Sequence, residues 1–199
     1  MKTPITTQPV RQSSAIDGFE KGRLFEQYVI QLFNQYNFKF AEWRMSQKLE
    51  DKLLLQDCGN PDLELIFSRH KNHHFAVECK WREKFVDGKI KWAHEHQIRS
   101  YKNFENQRRI PVFIAIGIGG EPSKPEKLFV TPLRNIEMYS EVYEADLIPY
   151  KRKPTRRFFY DTVQLKLFWF LNQKWLGFTS LAGPAMEMLI AFAAVLIFT

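Results

Sequence analysis

Two short stretches carry side chains that could together cut a phosphodiester. One is Pro61-Asp62-Leu63-Glu64, the other Phe75-Ala76-Val77-Glu78-Cys79-Lys80. In a strand, alternate residues share a face. Glu78 and Lys80 then point one way and Val77 and Cys79 the other, while Asp62 and Glu64 share a face of the neighbouring strand. Two such strands, paired, would present carboxylates and an ammonium in one patch. Carboxylate oxygens suit hard divalent cations such as magnesium, with manganese as the alternative. A bound metal lowers the pKa of its water and stabilises the leaving oxygen of a phosphodiester. Lys80 would orient or deprotonate the attacking water and offset phosphate charge. The apolar run Phe75-Ala76-Val77 marks a buried strand, and charges at the edge of a core are costly without partners. Asp62 and Glu78 are the expected metal ligands. Glu64 reads as a solvated residue of the same strand rather than as a spare acidic group near the site.

The elements that must position these groups follow from periodicity and turn signals. Asp17-Gly18 opens a predicted helix that runs to about Tyr36, with Leu24, Phe25, Tyr28, Val29, Leu32 and Phe33 on one face. Phe38 to Met45 reads as a strand and Ser46 to Gln56 as a loop or short helix. Gly59-Asn60-Pro61 is a turn. Strands are expected over 62–67 and 74–81, forming a hairpin across the polar turn Ser68 to Asn72. Trp92 to Gln107 reads as a helix with Ile98, Tyr101 and Phe104 on one side. Ile110 to Ile118 is almost continuously apolar, the mark of a strand buried on both faces. Lys127 to Pro132 is a further short strand, and the pattern over 133–150 does not decide between helix, strand and loop. Cys79 is expected to face the core and be inert.

Composition sets the class. The chain has 199 residues, 45% hydrophobic, 26% charged and 15% aromatic, which is globular rather than disordered. Two cysteines, Cys58 and Cys79, cannot build a disulfide framework. The net charge is +7, and all of it lies in the first 160 residues, because Asp161, Lys166, Lys174 and Glu187 cancel. Such an excess favours an anionic partner. Lys84, Lys89, Lys91, Lys102, Arg108 and Arg109 surround the proposed site, interleaved with Trp81, Trp92 and Tyr101. They are the expected contacts to nucleic-acid phosphates. His70, His73, His74, His94 and His96 lack zinc-site spacing relative to either cysteine.

Pro61-Asp62 followed by Glu78-Cys79-Lys80 resembles the PD-(D/E)XK nuclease superfamily, the restriction-endonuclease-like fold. Lys21-Gly22-Arg23-Leu24-Phe25-Glu26 is similar to the first-helix motif of Holliday-junction resolvases and Mrr-like restriction enzymes, whose glutamate joins the metal site. Gln97-Ile98-Arg99-Ser100-Tyr101 resembles the Gln-x-x-x-Tyr element of Mrr-like members. The match covers about residues 17–132. It implies an α/β fold with a central mixed sheet flanked by helices, and a magnesium-dependent DNA endonuclease. Glu26 would be a third metal ligand and Gln97 a secondary site residue. It also implies a homodimer.

The expected organisation is a flexible leader over 1–16, a nuclease-like domain over 17–150, a basic linker and amphipathic segment over 151–175, and an apolar tail over 176–199. From Ala185 to Thr199, 13 of 15 residues are apolar. A helix over 176–199 would span roughly 36 Å against a hydrocarbon core of about 30 Å. Glu187 would cost about 2.5–3.5 kcal/mol near the centre of such a span. The tail therefore reads as a membrane anchor, with the domain in the cytoplasm, or as a packed terminal helix. No signal peptide is expected, since Lys2 and Arg11 flank no apolar run. Two other classes fit the same residues: a catalytically silent nucleic-acid-binding module, and a membrane-associated interaction protein.

Overall fold

The structure, a computed structural model, describes residues 18–44, 59–69 and 72–169. The leader, the segment 46–56, Cys58, His70 and the apolar tail lie outside the described residues. Among the described residues no helix is long and apolar enough to cross a membrane.

The chain runs through α1 (Gly18–Gln31), β1 (Phe38–Trp43), β2 (Leu63–Phe67), β3 (His73–Arg82), β4 (Lys89–Lys91), α2 (Glu95–Arg108), β5 (Val112–Ile118), β6 (Lys127–Pro132), β7 (Glu141–Tyr143), α3 (Glu144–Leu147), β8 (Lys151–Arg152), β9 (Phe158–Asp161) and β10 (Lys166–Trp169). Six strands form one sheet in the order β1-β2-β3-β5-β6-β8. The β3–β5 pair is parallel and the other pairs antiparallel, so the sheet is mixed, as expected. The parallel pair needs a crossover, and α2 lies within it.

Strand parity divides the sheet between two cores. Phe25 and Val29 of α1 pack with Leu63, Leu65, Phe67, Phe75, Val77 and Phe113 on one face. On the other face Ala76, Ile114 and Ile116 meet Ile98, Tyr101 and Phe104 of α2. β5 is buried at every position, as a strand covered on both faces must be. Gly117 has no side chain because Phe25 occupies that space: a Cβ there would stand 2.3 Å from the ring. This close approach sets how near α1 sits to the sheet.

Several boundaries differ from expectation. α1 stops at Gln31 rather than near Tyr36 because the chain tightens: Leu32 and Phe33 donate to Val29 and Ile30, three residues back. The side-chain oxygen of Asn34 then accepts from the Tyr36 N–H at 3.0 Å and fixes a turn. α2 begins at Glu95 rather than Trp92. Trp92 and Ala93 are buried in extended chain, with the Trp92 N–H bonded to Ser140 and its carbonyl held by Arg82. Residues 133–150 contain β7, α3 and two short 3-10 turns. The basic stretch from 151 is no linker through 169. β8 joins the main sheet, and the β9–β10 hairpin contributes Phe158, Tyr160 and Leu167 to the α1-side core. Arg152 is buried there, donating to the carbonyls of Leu167 and Lys151. β1 is irregular: its register with β2 slips by one residue between Phe40 and Glu42.

Candidate active site

The hairpin brings the two acidic stretches together. Leu63 pairs with Val77, so one step further along this antiparallel register sets Asp62 opposite Glu78. Asp62 precedes the ladder, and its side chain replaces a ladder bond by accepting the Cys79 N–H at 2.7 Å. Glu78 and Lys80 share the α2 face, as parity requires. Tyr101 of α2 donates its hydroxyl to Glu78 Oε1 at 2.7 Å, and Lys80 Nζ donates to the Tyr101 oxygen at 3.3 Å. Lys80 also forms an ion pair with Glu78. From the other side, α1 supplies Glu26 beside the core residue Phe25. Glu26 is 3% exposed, a carboxylate sunk beside the core. Asp62, Glu78, Lys80 and Glu26 all line one cleft of about 410 Å³, together with Lys21, Gly22 and Arg82.

Four carboxylates, Glu26, Asp62, Glu78 and Glu83, line the cleft against three cations, Lys21, Lys80 and Arg82. Burial pushes the Asp62 carboxyl well above its ordinary value; Glu78 and Glu26 add to the rise, and Lys80 and the Cys79 N–H oppose it. For Lys80 burial acts downward, but Glu78 and Asp62 outweigh it, so the ammonium is held above its usual range and stays charged. The Cys79 thiol is pushed well up by burial and then by the Asp62, Glu26 and Glu78 carboxylates, and its side chain is buried on the α1 side of the sheet, the face expected for it.

A divalent cation fits this chemistry. Glu78 Oε2 is buried without a hydrogen-bond partner, while Oε1 is committed to Tyr101 and Lys80. A buried carboxylate oxygen left open calls for a positive ligand. Among the described residues no three His, Cys, Asp or Glu side chains draw close enough to form a ready-made metal cage. Magnesium does not need one, since it keeps several waters and takes one or two carboxylates. Asp62 and Glu78, across a register from each other, are the pair that suits it.

The other expected residues are placed less uniformly. Gln97 is half-buried one turn before Tyr101, and its Oε1 accepts the His94 N–H at 3.0 Å, so it caps α2 and does not line the cleft. Lys84 lies just after Glu83 at the cleft margin, and Lys89 and Lys91 stand on β4, next to the chain that Arg82 clamps by donating to the Lys91 and Trp92 carbonyls. Lys102 pairs with Glu137 at 3.1 Å. Arg108 and Arg109 sit at the far end of α2. Arg108 donates to both oxygens of Glu64 at 2.7 and 3.0 Å, so Glu64 is a buried, paired residue and not a solvated one.

Tyr101, Lys21 and Arg82 are site residues whose roles the sequence left undrawn. Tyr101 stood in the quoted helix motif, but only the fold shows its hydroxyl on Glu78. Lys21 lies five residues before Glu26, its ammonium 5.2 Å from the centre of the Trp81 ring at the cleft wall.

No protein-family model matches the chain, and no curated protein matches it. Among solved structures the chain is similar to Hjc, a Holliday junction resolvase from the archaeal hyperthermophile Archaeoglobus fulgidus. The identity is 13% and the TM-score 0.46, over 67% of this chain and 91% of that one. The functional reading rests on the cleft itself.

Proposed function

We propose that the protein is a metal-dependent DNA endonuclease of the PD-(D/E)XK type. The observation that carries this is the convergence of Asp62, Glu78, Lys80 and Glu26 on one cleft, with a buried Glu78 oxygen left open. Asp62 and Glu78 would hold a magnesium ion, and Glu26 would add charge or a water contact. When bound, the ion supplies charge stabilisation at the phosphate and a more acidic water. Lys80 keeps its proton and so orients the attacking water and meets phosphate charge, rather than serving as a base. Tyr101 holds Glu78 Oε1, which leaves Oε2 for the ion. Lys84, Lys89, Lys91 and Lys21 are the basic groups best placed to meet a backbone entering the cleft.

Cleavage of duplex, single-stranded and four-way-junction DNA, with magnesium and then with EDTA, tests the reading. Magnesium-dependent cuts that disappear in Glu78→Ala are expected. Binding without cutting, at any divalent metal, would leave only the silent binding module.

A further inference from the structure

Trp43 reaches Glu26, a residue of the cleft lining, by way of the irregularity in β1. Phe38, Lys39 and Phe40 pair with Phe67, Ile66 and Leu65, and then Glu42 and Trp43 pair with Glu64 and Leu63. Ala41 is the extra residue of a β-bulge. Unbroken alternation from Phe38 and Phe40 would send Trp43 to the α2 face. The bulge instead sets it opposite Leu63, on the α1 side, where its Nε1 donates to Glu26 Oε2 at 3.3 Å. Bulges are concentrated beside active sites, where they re-aim a side chain. The next residue ties the strand to the other half of the site: the Arg44 N–H donates to the Asp62 carbonyl at 2.8 Å, and its Nη1 to the Pro61 carbonyl at 2.9 Å. Glu26 is 3% exposed and Trp43 is 41% exposed. The indole N–H thus holds a buried acid of the cleft, while Trp43 as a residue stays exposed. An exposed aromatic residue bonded to an acid of the proposed cleavage cleft is a platform for a nucleobase, and only an unstacked base can use it.

We propose that Trp43 is a positioning residue for Glu26 and that its exposed ring stacks on an unpaired base next to the phosphate being cut. The substrate class is then DNA with a single-stranded or splayed segment at the cleavage point. The proposal deepens the nuclease reading and rests on it.

Three measurements test it. In a ¹⁵N–¹H spectrum the Trp43 indole signal, identified by its loss in Trp43→Phe, should move in Glu26→Gln and on adding magnesium; a signal indifferent to Glu26→Gln overturns the positioning role. With calcium in place of magnesium, Trp43→Ala should weaken binding to gapped DNA by about 5- to 100-fold while Trp43→Phe holds it. The loss on intact duplex should be much smaller, and an equal loss on both, or none, overturns the stacking. Trp43→Phe should lower kcat about 10-fold with KM unchanged; an unchanged kcat counts against the indole N–H. A wild type that cuts no DNA, while the indole signal still follows Glu26, would sink the nuclease reading and leave the positioning standing.

Discussion

At the scale of single residues, the acidic cleft trades stability for chemistry. Asp62 is desolvated beside Glu78 and Glu26, so the folded protein keeps its proton to a higher pH than the unfolded chain does. Between the unfolded value, about 3.9, and the raised folded one, the folded state binds more protons, and stability falls as pH rises. The contribution of Asp62 is therefore fully present below the unfolded value and lost through the folded one. Asp62→Asn keeps an oxygen for the Cys79 N–H and removes the charge. Metal-free Asp62→Asn should melt at a higher temperature than the wild type at neutral pH, and should lose both cleavage and stabilisation by magnesium. Melting curves in EDTA and in magnesium check this, and a lower melting point in EDTA would contradict the charge argument. Lys80→Ala should cost about 10²–10³ in rate, the range for losing a fixed donor that stabilises developing charge. Removing the Tyr101 hydroxyl in Tyr101→Phe leaves Glu78 Oε1 held by Lys80 alone and should slow cleavage by about 10-fold while DNA binding in calcium stays unchanged.

At the scale of elements, the site depends on how closely α1 lies on the sheet. Glu26 reaches the cleft only because Phe25, its neighbour, sinks onto the bare backbone of Gly117. Gly117→Ala should therefore destabilise by about 1–3 kcal/mol through overpacking. It should also lower cleavage below what the unfolded fraction explains, since α1 carries Glu26 away with it. Phe25→Leu in the same chain should restore part of both losses, as chemical denaturation and a cleavage assay would show; no recovery would mean the ring is not the obstacle. These two contacts also mark what the sequence could tell. The hairpin, the shared face of Glu78 and Lys80 and the buried β5 were legible because strands repeat every two residues and the apolar pattern repeats with them. The apolar face of α1 was legible for the same reason at the helical period. The fit of Phe25 into Gly117 joins residues 92 positions apart, and no local pattern encodes it. The bulge at Ala41 breaks the very parity on which a strand is read, so Trp43 was assigned no function. Trp92 looked like the start of a helix because its apolar neighbours fit that period, whereas Arg82 and Ser140 hold it extended. The charges at 151–157 suggested a solvated linker, yet Arg152 is satisfied by carbonyls of β10 and its own strand, and the apolar residues after it complete a core.

At the scale of the whole molecule, positive charge is in excess but not all of it is free to meet DNA. The cleft lies where β2 begins and β3 ends; Lys21 lines it, Lys84 follows Glu83 of the lining in the chain, and Arg82 of the lining donates to the Lys91 carbonyl of β4. At the far end of α2 a second cavity of about 490 Å³ holds Arg108, Arg109, His73 and His74 around the buried Glu64. Arg44 approaches the same carboxylate at 3.8 Å. Arg108 is thus committed to a carboxylate, and Lys102 to Glu137. Each phosphate contact released by salt contributes about 0.9 to the slope of log K against log salt on duplex DNA. Lys84→Ala, Lys89→Ala and Lys91→Ala should each flatten that slope by about 0.9 and weaken binding. Arg108→Ala should leave the slope unchanged and instead cost about 1 kcal/mol of stability, because half of the Arg108 side chain is exposed and the pair is partly screened. Filter-binding or fluorescence titrations over a range of salt, alongside denaturation of the same variants, separate the two groups. A slope that falls as much in Arg108→Ala as in Lys89→Ala would move the DNA path to the far end of α2. The cleft around Asp62 and Glu78 would then lie off that path, and with it the case for cleavage there.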